Sequence, residues 1–234
     1  MKIMIKNDLA CIKDVLLTAL LSGLFVAIIL CLSLGNVAIV VPVVTIAVTS
    51  AFILRVLAVD EHRDWKHCCE NFEVTVKQIV VARYLTCLIL LAFSLIVSVL
   101  MAAICTGVCT LLANVGIGGT FVGKIVGSVQ DPTLLPSALC GCALALVMIA
   151  CIMPLAFKQG LSAPVRVLPV IFSLLVLLYV IFSQGIMAMG VQTSTFTYWM
   201  QKQSGAEMIT FVIAIVSLLV YVISCTALSR RLAH

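Results

Sequence analysis

The residues best suited to chemistry in this sequence lie within residues 60–84, DEHRDWKHCCENFEVTVKQIVVARY. Histidine and cysteine are common zinc ligands, and His62, His67, Cys68 and Cys69 fall in this stretch. However, consecutive cysteines on a helix point in different directions, and the two histidines are five residues apart. The pattern therefore does not favour a metal site, and we expect none.

A second candidate is GGTFVGKI at residues 118–125, which resembles a phosphate-binding loop. Ile125 stands where that loop needs the serine or threonine that binds magnesium, and no strand precedes it. The pattern therefore does not favour a nucleotide site. Gly119, Gly123 and Gly127 recur every four residues and would line one face of a short helix. We expect residues 113–133 to form an apolar helical cap or re-entrant piece outside the cell, with a solvated loop as the alternative.

The composition indicates the kind of protein that must position these residues. Of the 234 residues, 64% are hydrophobic and 10% are charged, which is outside the range of water-soluble domains. A helix needs about 20 apolar residues to cross a bilayer, and barrel strands would instead alternate in polarity. The sequence therefore predicts an all-α membrane protein of one transmembrane domain with six transmembrane helices. These spans are residues 15–34, 37–54, 84–112, 134–157, 167–190 and 208–229.

The basic residues predict the orientation of the chain. With six spans, twelve of the fourteen lysines and arginines fall on the side that holds both termini and the 55–83 and 158–166 loops. The positive-inside rule places that side in the cytoplasm. The net charge of +5 therefore reflects topology and implies no nucleic-acid partner.

The six predicted spans contain no Asp, Glu, Lys, Arg or His. Ion-coupled transporters and intramembrane enzymes normally keep such groups at membrane depth, where each costs at least about 2.5 kcal/mol. We therefore expect no catalytic residue and no cofactor in this chain, and no means of driving transport by itself.

Some polar side chains remain within the spans. Their hydroxyls can bond to their own helix or to a neighbouring one, which is a packing role, or they can line a substrate path. Both interpretations stay open for these residues: Thr45, Thr49, Ser94, Ser98, Ser183 and Gln184.

The charged stretch has the pattern of an amphipathic helix, which we predict at residues 60–80. An apolar stripe with a spacing of three or four comprises Trp65, Cys69, Phe72 and Val76. Lys66, Glu70, Glu73 and Lys77 follow the same spacing on the opposite side, where oppositely charged pairs four residues apart stabilise a helix. The stripe could lie on the inner leaflet or bind a groove on a soluble partner.

The N-terminus has a similar pattern. Met1, Ile5, Leu9 and Ile12 share one helical face. We predict an interfacial helix at residues 1–14 that lies flat at the inner membrane surface before the first span.

With these features in place, the sequence resembles bacterial ABC-2 type permeases. DWKHCCENFEVTVKQIVVARYL looks like their coupling segment, and MPLAFKQGLSAPVR looks like their loop between the fourth and fifth spans. The first match covers Trp65, Phe72, Lys77, Arg83 and Tyr84, among others, while Glu73 replaces the usual proline and Val76 the usual basic residue. In the second match, Pro154, Phe157, Gly160 and Arg166 fit the pattern.

The resemblance implies a membrane subunit of an ATP-driven exporter in the bacterial cytoplasmic membrane. It also implies a homodimer or heterodimer of permeases in the lipid bilayer, bound to separate ABC ATP-binding subunits that carry the ATP and magnesium. Small members of the family resemble exporters of amphipathic or antimicrobial peptides. Residues implied to contact the ATP-binding subunit are Trp65, Cys69, Phe72, Val76, Lys77, Gly160 and Arg166.

Two other functions stay open at this point. One is a substrate-binding membrane component of a vitamin-type importer, and the other is a non-transporting immunity or scaffold protein of the membrane. A monomer with a tightly bound small molecule would favour the first, and a gene without a neighbouring ATP-binding subunit would favour the second.

Overall fold

The computed structural model describes residues 2–34, 39–62, 75–115, 134–160, 162–180 and 203–231. Within these ranges the chain forms helices and no strands, which confirms the all-α fold for the described part. The helices are α1 (Lys2–Leu34), α2 (Val40–His62), α3 (Val76–Asn114), α4 (Leu134–Gln159), α5 (Ser162–Val180) and α6 (Gln203–Arg231).

Four of the described helices are long and apolar enough to cross a membrane: Val40–Ala58 in α2, Lys77–Asn114 in α3, Leu135–Lys158 in α4 and Glu207–Arg231 in α6. They correspond to the second, third, fourth and sixth predicted spans, so the chain has the architecture of a multi-pass membrane protein. The apolar part of α1, Val15–Cys31, is shorter. The fifth predicted span is described as far as Val180. The number of six spans therefore stays a prediction.

The structure does not confirm the predicted boundary between an interfacial helix at residues 1–14 and the first span. The backbone is one continuous helix from Lys2 to Leu34. Asp8, Ile12, Ala19 and Ala27 are all buried and follow helical spacing along a single face. One face packed against neighbouring helices from Asp8 onward holds the N-terminal turns in line with the rest of α1.

The predicted helix at residues 60–80 is not confirmed, and in the described residues the backbone is extended at Thr75. α2 runs to His62 and α3 begins at Val76, and Thr75 has extended backbone angles of φ −69° and ψ 142°. Thr75 acts as the N-cap, because its N–H donates to the Gln78 side-chain oxygen at 3.4 Å and its carbonyl accepts the Gln78 N–H at 2.9 Å. A threonine favours this extended N-cap geometry over the helix interior. Residues 63–74 lie outside the described part.

Side-chain contacts fix the helix directions. α2 is antiparallel to α3, because Thr45 bonds to Ser98 and Thr49 to Ser94. α1 is parallel to α3, because residue 8 near the start of α1 pairs with residue 83 near the start of α3.

The fourth and sixth helices follow the same alternation. Tyr84, near the start of α3, contacts Tyr221 near the end of α6, and Ser224 of α6 bonds to Ala150 towards the end of α4. One end of the bundle therefore carries the ends of α2, α4 and α6 and the starts of α1 and α3. We call it the basic end, after its cationic residues: Lys13, Arg55, Lys77, Arg83, Lys158, Arg230 and Arg231.

α2 lies at the centre of the bundle, whereas α6 lies at its edge. Of the apolar window in α2, 78% is buried within the protein, against 11% for α6. The side chains of Val40, Val44 and Phe52 are completely buried. Gly141 of α4 lies so close to α2 that an added Cβ would come within 2.7 Å of the Pro42 Cα. A glycine at this position lets the two backbones approach.

Gly141→Ala should lower the melting temperature of the detergent-solubilised protein. The new methyl group would meet backbone atoms of Pro42, which cannot rotate away, and overpacking of this kind costs about 1–3 kcal/mol. Gly107→Ala is the matched control, because a Cβ there has no neighbour within 4 Å and alanine favours a helix. We expect an unchanged or higher melting temperature for this control. An unchanged melting temperature for Gly141→Ala would mean that α2 and α4 can move apart at no cost in stability.

Candidate functional site

Of the segment predicted to bind the ATP-binding subunit, the structure describes only the C-terminal end, from Thr75 onward. Trp65, Cys69 and Phe72 lie outside the described residues. Val76 is the first residue of α3, and Lys77, in the first turn, is exposed at the basic end. The structure therefore shows how α3 leaves this segment, and the contacts of the predicted apolar stripe stay a prediction.

The second predicted contact lies where α4 turns into α5. Gly160 has a φ of 70°, and its N–H still donates to the Ala156 carbonyl at 3.0 Å. Left-handed backbone at the end of a helix favours glycine, so Gly160 ends α4 and lets the chain reverse within a few residues. Lys158 and Arg166 flank the reversal and are both exposed. The structure thus places Lys77, Gly160 and Arg166 at the same end of the bundle.

A buried ion pair joins α1 to α3 near the basic end. The Arg83 guanidinium contacts the Asp8 carboxylate, and the Thr86 hydroxyl donates to the other carboxylate oxygen at 3.3 Å. Asp8 is 5% exposed and Arg83 is 8% exposed, so both charges are removed from water. Removing one partner of such a pair costs about 3–5 kcal/mol, because the other charge is left buried and uncompensated. The pair therefore fixes the position of α1 against α3.

A series of hydrogen bonds starts at Tyr84, the residue after Arg83, and joins α3 to α6 and α4. The Ser224 hydroxyl donates to the Ala150 carbonyl at 2.9 Å, so it accepts from the Tyr84 hydroxyl, also at 2.9 Å. In the other direction, the Tyr221 hydroxyl donates to the Tyr84 carbonyl. The two tyrosine rings meet edge to face with centroids 5.1 Å apart, which adds a favourable aromatic contact.

Four of the residues predicted to line a path or pack helices come together between α2 and α3. Thr45 donates to Ser98 at 2.7 Å, and the Thr49 and Ser94 hydroxyls are bonded to each other. All four side chains are completely buried. In this conformation they hold α2 to α3, and lining a substrate path would require the two helices to part. Ser183 and Gln184 lie outside the described residues.

An open apolar cleft of about 470 Å³ lies at the opposite end of the bundle, between the starts of α4 and α6. Leu135 and Leu139 form one wall, and Met208 and Phe211 form the other. Glu207 lines it too and brings a carboxylate to an otherwise hydrophobic surface.

The motifs set aside in the sequence lie largely beyond the described ranges. His67, Cys68 and Cys69 fall in residues 63–74, and GGTFVGKI falls in residues 116–133. Among the residues that the structure describes, no group of three or more His, Cys, Asp and Glu side chains could hold a metal ion.

Asp8 is the functional candidate that the sequence analysis missed. The N-terminal pattern was assigned from its apolar residues, and Leu9, assigned to the apolar face, is 38% exposed, whereas Asp8 is buried. One signal was available, because Asp8 lies four residues before Ile12 and so shares its face. Tyr221 and Ser224 carried no such signal, since their partners are more than 70 residues away.

Comparison with known protein families gives a match over nearly the whole chain. A family model described as ABC-2 family transporter protein covers residues 3–231. No curated protein and no solved structure matches the chain significantly.

The two threonine–serine pairs should show energetic coupling. Thr49→Val and Ser94→Ala each leave one hydroxyl without its partner on the other helix, so the double variant should lose less stability than the sum of the two. We expect a coupling free energy of about 0.6–1.7 kcal/mol from unfolding in detergent or bicelles. Thr110→Val combined with Ser94→Ala is the control, because the Thr110 hydroxyl bonds to the Thr106 carbonyl of its own helix. Strict additivity for Thr49 and Ser94 would contradict the pairing.

Proposed function

Because the chain belongs to the ABC-2 family of transporter proteins, we propose that it is the permease subunit of an ATP-driven exporter in the bacterial cytoplasmic membrane. Separate ATP-binding subunits, with their ATP and magnesium, power it, and two permeases of like or unlike sequence pair in the bilayer. The family match across residues 3–231 is the main support for this proposal, together with four apolar helices long enough to cross a membrane.

In this proposal the basic end faces the cytoplasm and receives the ATP-binding subunit. The positive-inside rule supports the orientation, since cations such as Lys77, Lys158 and Arg166 gather at that end. Trp65, Cys69 and Phe72 of the apolar stripe then enter a groove of the ATP-binding subunit, as amphipathic segments commonly do, and α3 follows from Val76.

The proposed mechanism depends on the direct connection in the chain between the segment around residues 65–77 and α3. ATP binding draws the two ATP-binding subunits together, and the segment around residues 65–77 moves with them. α3 starts within that segment and passes the movement into the membrane. α2 and α5 shift in response and open an apolar cavity to the outside.

The proposed cargo is an amphipathic or antimicrobial peptide, or a lipid-like molecule. The predicted spans carry no Asp, Glu, Lys, Arg or His, and the described cleft between α4 and α6 is lined mainly by leucine, methionine and phenylalanine.

Transport can be tested in vesicles whose membranes expose the basic end outward. With the permease, its ATP-binding subunit and external ATP, a fluorescent amphipathic helical peptide should accumulate in the lumen. Vesicles with the permease alone should accumulate none, because in this proposal the separate ATP-binding subunit hydrolyses the ATP. Uptake without the ATP-binding subunit would contradict the proposal, and a tightly held small molecule on a monomeric permease would favour an importer component instead.

Charged residues in the apolar stripe should abolish binding of the ATP-binding subunit. Trp65→Asp combined with Phe72→Asp replaces the two aromatic contacts, and we expect loss of co-purification with normal membrane insertion. The control is Lys66→Gln combined with Glu70→Gln on the opposite side of the same segment, which should keep the complex. A complex that survives the aspartate substitutions would count against this contact.

A further inference from the structure

We propose that Arg83 and Tyr84 form a joint through which movement of the 63–74 segment reaches α1, α6 and α4 together. The joint comprises Asp8, Arg83, Tyr84, Tyr221 and Ser224. This inference rests on the proposed function for the origin of the movement, and the contacts themselves stand independently of it. Arg83 and Tyr84 are positioning residues in this view, since they touch neither cargo nor nucleotide.

The position of the joint along α3 suits this role. α3 begins at Val76, so Arg83 lies seven residues, or about 10 Å, into the helix at 1.5 Å per residue. Successive residues on a helix are about 100° apart, so Arg83 and Tyr84 face different neighbours at nearly the same depth. Arg83 pairs with Asp8 on α1, while Tyr84 contacts α6. A rotation or shift of the first turns of α3 therefore acts on both neighbours at once.

The kind of contact at the joint also suits transmission. Apolar side chains can slide past one another at little cost, whereas hydrogen bonds and ion pairs weaken steeply with distance and angle. The Arg83–Asp8 pair and the chain from Tyr84 through Ser224 to the Ala150 carbonyl are of the second type. Asp8 and Arg83 are buried within the protein, so separating them would leave two buried charges uncompensated. α1, α6 and α4 must therefore follow α3 at this depth.

The helix α5 provides an internal reference. Its main contacts are with α4, and it has weaker ones with α2. The joint contains no α5 residue. A distance between Lys158, at the end of α4, and Arg166, near the start of α5, should therefore stay constant when the joint is broken.

The direct test measures distances by spin-label spectroscopy on the full-length permease in nanodiscs, without its partner. The labels should be unnatural amino acids, because the chain has eleven cysteines. Exposed label positions are Lys13 on α1, Lys77 on α3 and Ala227 on α6, with Lys158 and Arg166 as the reference pair.

Each substitution in the joint should loosen the contact of α3 with one neighbouring helix. Arg83→Gln should broaden the 13–77 distance distribution and leave the reference pair narrow, and Tyr84→Phe combined with Tyr221→Phe should broaden the 77–227 distribution. Arg230→Gln removes an exposed guanidinium at the same end and should change neither distance. The swap Asp8→Arg with Arg83→Asp should narrow the 13–77 distribution again. If the swap variant does not fold, Arg83→Lys takes its place: it keeps the charge and should give a narrower 13–77 distribution than Arg83→Gln.

Unchanged distance distributions in both Arg83→Gln and the double phenylalanine variant would contradict the proposed joint. This conclusion does not depend on what the permease transports. A swap or lysine variant as broad as Arg83→Gln would overturn the role of the ion pair. The functional arm uses the complex with the ATP-binding subunit. There, joint variants should bind the subunit but move about tenfold less peptide per ATP hydrolysed. Normal distances in a wild-type permease that binds no ATP-binding subunit would instead refute the proposed function alone.

Discussion

Hydrocarbon offers no hydrogen-bond partner, and this constraint determines how polar groups are placed in the bundle. Each polar side chain at membrane depth must bond to its own helix or reach another one. Thr106 and Ser217 bond within their helices. Thr45, Thr49 and Ser224 reach across helices, and such contacts specify the rotation of each helix in a way that uniform apolar packing does not. In the described part of this chain, whose sequence is 64% hydrophobic, a few hydroxyls and the buried Asp8–Arg83 pair thus provide much of the specificity.

Hydropathy predicted the four long spans, because the presence of a membrane helix depends on the composition of a single segment. The boundary at residue 15 and a continuous helix at residues 60–80 are not confirmed, because helix ends depend on tertiary contacts and on the N-cap. At the N-terminus the apolar face was assigned correctly at Ile12 but not at Leu9, since burial of Asp8 with Arg83 turns the helix differently. The resemblance to the family identified Arg83 and Tyr84, yet a local match cannot reveal partners on α1 and α6. Pairing of residues 84 and 221 depends on which helices are neighbours, and a single sequence contains no direct record of that.

The outer surface of the bundle consists largely of large apolar side chains. α6 exposes Phe211, Ile215, Leu219 and Ile223, and α1 exposes Leu17, Leu21 and Phe25. In water, patches of this size would mark an interaction surface, but in a bilayer lipid tails contact them without cost. Exposure alone therefore does not distinguish the lipid-facing surface from a permease–permease interface. Close backbone approach is the better guide, and within the described residues it occurs inside the bundle, at Gly141 against Pro42.

Two types of polar contact divide the bundle by depth. Near the basic end, α3 is bonded to α1 and α6 by long side chains, arginine and tyrosine, which keep their bonds while helix axes tilt slightly. Further along α3, Ser94 and Ser98 bond to α2 through short hydroxyls that require close contact. Short side chains tolerate less displacement before the bond is lost. A movement that starts at Val76 would therefore be carried intact through the basic end and would meet its first breakable contact at the α2–α3 interface. A cavity that opens at that interface, where α2 is enclosed by its neighbours, would break the two hydrogen bonds that join α2 to α3.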